Sequence, residues 1–235
     1  MHGLRRLRQP KTVNDLERQI RFSRLVDRVN ELRSRVQVAV VDDEGFGWLN
    51  ELRNNQFNLT PYRDVQLLTV LQPYPIILCD LLGVGRSLDP RLEGAKIIIE
   101  TKRIYPDKLV IGYSATTRRS KKLEESMKIS DYFMRRTDGP EEWTAMLDKA
   151  IVEVICPIQQ WRRLQKRLFN TGIPARELAD IEDVFVRCVE RDEDFTFEKV
   201  LEATRNPIPH AAQLILKEAV SHITFELAKT AVLGR

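Results

Sequence analysis

Four short apolar runs in this 235-residue chain each lead into a residue that can do chemistry. Val36–Val41 runs into Asp42-Asp43, Ile76–Cys79 into Asp80, and Lys108–Tyr113 into Ser114. The run Asp131–Met134 leads into Arg135 and Arg136. Brought to one edge, these residues would set three carboxylates, a hydroxyl and a cation around a common point. Carboxylates that close raise one another's pKa unless a cation neutralises them. Hard oxygen donors with open positions suit Mg²⁺, which keeps several waters and takes one or two carboxylates plus a phosphate. A hydroxyl and a guanidinium beside the metal would stabilise the equatorial oxygens of a phosphoryl group. The chemistry implied is phosphoryl transfer to a carboxylate, giving an acyl phosphate.

Such a gathering needs strands whose carboxyl ends align, because ligands of an open parallel sheet bind outside those ends. The apolar runs alternate with helical stretches at Phe46–Arg53, Pro90–Tyr105, Arg118–Lys128 and Pro140–Ile155, the last with Pro in its first turn. Continuous apolar strands alternating with helices mean a parallel sheet covered on both faces. The expected fold is α/β, a doubly wound five-stranded parallel sheet over residues 36–157. Residues 1–35 read as a basic arm with an amphipathic helix starting at Asn14. There Phe22, Leu25, Val29, Leu32 and Val36 recur at spacings of 3 and 4, the pattern of a dimer seam. Residues 158–235 carry no strand signal and read as an all-α extension, with helices at 158–169, 175–191, 197–205 and 210–233.

The ordered set resembles the receiver domain of two-component response regulators, a flavodoxin-like fold. The matching stretches are Val40-Val-Asp-Asp-Glu44, Leu78-Cys-Asp80, Ile111-Gly-Tyr-Ser-Ala115 and Asp131-Tyr-Phe-Met-Arg135. The resemblance covers residues 36–157. It implies that Asp80 is the phosphoacceptor, that Asp43 binds Mg²⁺ directly and Asp42 mostly through water, and that the backbone carbonyl of Leu82 is a further ligand. It implies that Ser114 bonds the phosphoryl group and that Tyr132 is the aromatic rotamer switch. Arg135 takes the place of the family's Lys after the fifth strand, and Arg136 that of the Pro which usually follows. The loop Leu81–Pro90 is longer than the family's, and the stretch between Asp43 and Asp80 leaves little room for a second helix.

Other readings of the same residues stay open. Asp42-Asp43 could cap a helix. Arg135 could be a surface charge, or could pair directly with Asp80 and lock the domain without phosphate. Gly83-Val-Gly85 lacks the rest of a phosphate loop and reads as a flexible turn. His2, His210 and His222 have no ligand spacing, and no Ser-His-Asp or Cys-His set can be assembled, so the chain is not read as an enzyme.

The net charge of +4 divides unevenly: residues 1–35 hold 10 Lys+Arg and 4 Asp+Glu (+6), residues 36–157 hold 16 and 18 (−2), and residues 158–235 hold 12 and 12 (zero). The basic arm could grip phosphates, but the neutral helical tail disfavours a nucleic-acid partner there. No apolar run approaches the roughly 20 residues that span a bilayer. The three cysteines fit no metal spacing, which points to a reducing cytoplasmic compartment. The expected function is that of a Mg²⁺-dependent receiver, a homodimer phosphorylated on Asp80 by a histidine kinase or phosphotransfer protein. Its output would be a changed protein–protein contact. The alternatives are a pseudo-receiver scaffold and a DNA-binding regulator.

Overall fold

The structure, a computed structural model, describes residues 12–19, 28–115, 121–191 and 193–220. The chain divides into two units, Val26–Val154 and a helical unit formed by Met1–Leu25 with Ile155–Arg235.

In the first unit, β1 (Gln37–Val41), β2 (Asn58–Tyr62), β3 (Ile76–Asp80), β4 (Leu109–Ser114) and β5 (Tyr132–Arg135) form one sheet in the order β2-β1-β3-β4-β5. Every pairing is parallel. This is the doubly wound arrangement expected from the alternating pattern. The three inner strands explain why their sequences are continuous apolar runs: β3 and β4 are buried at every position and β1 at all but its first. β2 is an edge strand, and it carries Pro61, which lacks the N–H a central strand would need.

The register pairs Val41 with Cys79, Asp80 with Tyr113 and Ser114 with Arg135, so the carboxyl ends of β1, β3, β4 and β5 fall level. Around the sheet run α2 (Val29–Leu32), α3 (Leu49–Asn54), α4 (Gly94–Ile104), α5 (Lys121–Ile129) and α6 (Pro140–Ile155). Ala39, Ile77, Ile97, Ile98 and Val110 belong to one buried cluster, which packs α4 onto the inner strands.

Between β2 and β3, where a second large helix would cross, there is only a 3-10 turn at Leu68–Leu71. The short stretch between Asp43 and Asp80 dictates this. The carbonyls that follow the turn are taken up by Lys108, whose buried ammonium donates to Gln72 O and, at 3.0 Å, to Tyr74 O. A buried lysine is tolerated because its donors are satisfied.

Of the amphipathic helix expected from Asn14 through the stripe, the described residues hold α1 (Val13–Gln19) and the one-turn α2. Phe22 and Leu25 lie outside the described residues. Val29, Leu32 and Val36 are buried in the chain itself. Arg33, just past α2, makes a two-pronged ion pair with Asp148 at 2.8 and 2.7 Å and lies over the Phe57 ring. The three described residues of the stripe therefore belong to the core of the chain.

The helical unit contains α1, α7 (Pro157–Phe169), α8 (Ala175–Arg191), α9 (Phe197–Ala203) and α10 (His210–Val220). The expected stripe of α8 is buried: Leu178, Ile181, Phe185 and Cys188 all face inward. Trp161 and Phe195 pack on Phe185 with ring centroids 5.1 and 5.7 Å apart. α1 joins this unit through an Arg162–Glu17 pair at 2.9 Å and a hydrogen bond from Val13 N to Glu182. No helix among the described residues is long and apolar enough to cross a membrane.

Candidate functional site

The level carboxyl ends of β1 and β3 bring Asp42, Asp43 and Asp80 together, each offering a carboxylate oxygen within 4.8 Å of the others. Asp42 and Asp80 are almost wholly buried, at 3% and 2% exposure, whereas Asp43 is exposed. Ser114 is buried at the end of β4. The structure thus brings all four residues to one edge of the sheet.

The three carboxylates differ in how far they are already committed. Asp42 Oδ1 accepts from the backbone N–H groups of Glu44 (3.0 Å) and Gly45 (2.8 Å), which pins the turn after β1. Its Oδ2 accepts from the Tyr113 hydroxyl at 2.8 Å. Asp80 Oδ1 accepts from Leu82 N at 3.2 Å. Among the described residues no hydrogen bond is made by the Asp43 carboxylate, which lies against Gly83. A side-chain carbon added at Gly83 would sit 2.2 Å from Asp43 oxygens. Gly83 has φ +81°, a conformation that glycine adopts freely. The "flexible turn" is thus a defined wall of the pocket. Its shape is held by Asp64 Oδ1, which accepts from both Val65 N and Gly85 N.

Burial pushes the Asp80 carboxyl up to about 6, with neighbouring Asp42 adding to the effect and the Leu82 N–H and Arg136 opposing it. The Tyr113 phenol is pushed well up, first by burial and then by Asp42.

The cation at this site is Arg136, not Arg135. Arg136 Nη1 lies 2.8 Å from Asp80 Oδ2 and 3.3 Å from Glu44, and Nη2 lies 3.3 Å from Asp42 Oδ1. Nη2 also donates to the Gly45 carbonyl at 3.2 Å. Arg135 is exposed. The reason is strand alternation: Met134 of β5 points inward, Arg135 points out, and the chain re-enters the pocket one residue later. The hydrogen bond from Arg136 N to Ser114 O fixes that position.

Two further features escaped the sequence reading. Tyr113 sits opposite Asp80 in register and is enclosed by Phe46 and Trp143, with ring centroids 5.5 Å away in each case. The signal was present, because a tyrosine inside an apolar strand needs a partner for its hydroxyl. Tyr132, expected as a switch, is tethered: its hydroxyl donates to Glu153 Oε2, and Lys149 Nζ lies 4.3 Å from its ring centroid.

A parallel sheet in the order β2-β1-β3-β4-β5, flanked by helices and with acids at the carboxyl ends of β1 and β3, has the flavodoxin-like doubly wound topology. No protein-family model matches the chain, and no curated protein does. Solved structures are similar to it. A CheY-like response regulator receiver domain protein from Methanospirillum hungatei JF-1 shares 12% identity over 49% of this chain and 93% of that one, with a TM-score of 0.41. The BeF3-activated DrrB receiver domain shares 16% over 49% and 97%, at 0.41. A putative two-component system response regulator/GGDEF domain protein shares 20% over 55% and 53%, at 0.43.

Proposed function

We propose that residues 26–154 form a phosphoacceptor receiver in which Asp80 takes a phosphoryl group from a histidine kinase or phosphotransfer protein. The observation that carries this reading is the convergence of Asp42, Asp43 and Asp80 oxygens within 4.8 Å at the mouth of the sheet. The donor set also fits Mg²⁺. Asp43 is exposed and its carboxylate makes no hydrogen bond among the described residues, whereas Asp42 accepts four and so suits a water-bridged role. Asp43, Asp80 and the Leu82 carbonyl would hold the ion. Bound there, Mg²⁺ would supply positive charge to offset the carboxylates and the phosphoryl group.

The chain's own residues supply the rest. Ionised Asp80 forms the new O–P bond while the P–N bond to the donor imidazole breaks and its electron pair leaves with nitrogen. Ser114 stabilises the equatorial oxygens, and so does Arg136, whose hydrogen bond to Asp80 gives way to the phosphoryl group. The output is a changed protein–protein contact.

The experiment is incubation with Mg²⁺ and a small acyl phosphate donor, followed by intact mass. A gain of one base-labile phosphoryl group, absent in Asp80→Ala, is expected. No gain in the native chain, or an equal gain in the variant, overturns the reading. A second reading, a receiver-fold scaffold that takes no phosphate, is favoured by one observation: Asp80 already has an ion-pair partner in Arg136.

A further inference from the structure

The acidic pocket carries its own cation. The Arg136 guanidinium touches both buried carboxylates, Asp80 and Asp42, reaches Glu44, and is anchored by the Gly45 carbonyl. Asp43 is the one carboxylate of the cluster for which no such contact is seen among the described residues. We propose that Arg136 and a divalent cation compete for Asp80, so that Arg136 sets the cation affinity of this pocket.

The competition follows from charge and geometry. An ion seated between Asp43 and Asp80 would meet the guanidinium across one carboxylate. Asp80 and Asp42 are buried, so like charges placed against them repel more strongly than at a surface. To admit the ion, Arg136 must release Asp80 Oδ2. Its contacts with Asp42, Glu44 and the Gly45 carbonyl can hold it in a withdrawn position beside the turn after β1. A lysine ammonium is a single point of charge, whereas the planar guanidinium fork spans both carboxylates at once. Arg135 supplies the natural comparison: it bears the same charge one residue away and is exposed.

The inference rests on the acceptor reading only for the identity of the cation. The test is a calorimetric titration of the full chain with Mg²⁺ alone, without phosphodonor, at a pH above the Asp80 titration and near-physiological salt. Arg136→Gln is expected to bind Mg²⁺ about tenfold more tightly than the native chain, and Arg135→Gln within about twofold of it. Equal tightening in both variants would mean a general charge effect and would overturn the proposal. Unchanged or weaker binding in Arg136→Gln would also overturn it. If that variant does not fold, Arg136→Lys takes its place. It keeps the charge but cannot span both carboxylates, so tightening by a smaller factor is expected and its absence is fatal. Absence of an acyl phosphate with tightening intact removes the receiver chemistry and leaves the competition standing.

Discussion

The phenol of Tyr113 donates a 2.8 Å hydrogen bond to Asp42 from a fully buried position on the neighbouring-but-one strand. Asp42 in turn caps the turn that begins with Asp43. The hydroxyl therefore aims the pocket's carboxylates without itself facing solvent. Tyr113→Phe keeps the ring packing on Phe46 and Trp143 but leaves a buried carboxylate oxygen short of a donor. The expected loss is about 1–3 kcal/mol in urea unfolding. The matching change at Tyr74, whose hydroxyl meets Tyr62 in a less buried pair, is expected to cost less.

The raised carboxyl of Asp80 makes stability pH-dependent with a definite sign. Its usual value near 3.8 applies in the unfolded chain and about 6 in the folded one, so the native state holds the proton more tightly. The stability it contributes is fully present below pH 3.8 and is lost as pH rises through about 6. Relative to Asp80→Asn, the native chain should lose on the order of 2 kcal/mol across that window. Chemical unfolding at several pH values checks this. Phosphodonor labelling should run the other way, rising to a plateau above about pH 6 as the nucleophile ionises.

Gly83 should not tolerate a side chain. Gly83→Ala places a carbon 2.2 Å from the Asp43 carboxylate and forces alanine into φ +81°. The expected result is a loss of about 1–2 kcal/mol together with weakened Mg²⁺ binding, because Asp43 must swing away. A glycine in open surroundings such as Gly172, also at positive φ, gives the strain alone, so its alanine variant should lose stability and leave Mg²⁺ titration unchanged.

Tyr132 can act as a switch only by leaving Glu153. Glu153→Ala is therefore expected to free the ring, read as an altered Tyr132 environment by NMR in the unphosphorylated chain. If Glu153→Ala leaves the Tyr132 resonances where they are, the tether does not restrain the ring.

The sheet was legible because its inner strands are buried on both faces, which forces uninterrupted apolar runs with a readable end. Asp42, Asp43, Asp80 and Ser114 sit at those ends and were found for that reason. The edge strand β2 was not located, since Asn58–Tyr62 contains Pro61 and has no apolar run to mark it. Arg136 was displaced by one residue because a linear motif does not say where β5 stops and its side chains cease to alternate. Tyr113 was passed over as an apolar strand residue, and the burial of Val29, Leu32 and Val36 within the chain was not readable because spacing alone does not distinguish a core-facing turn from a coiled coil.

Lys108 stands at the opposite end of β4 from Ser114, at 1% exposure, with its ammonium on carbonyls that follow the 3-10 turn. With no long helix in the crossover to order this stretch, one side chain at the start of the neighbouring strand fixes its carbonyls, so the approach to β3 is held from β4.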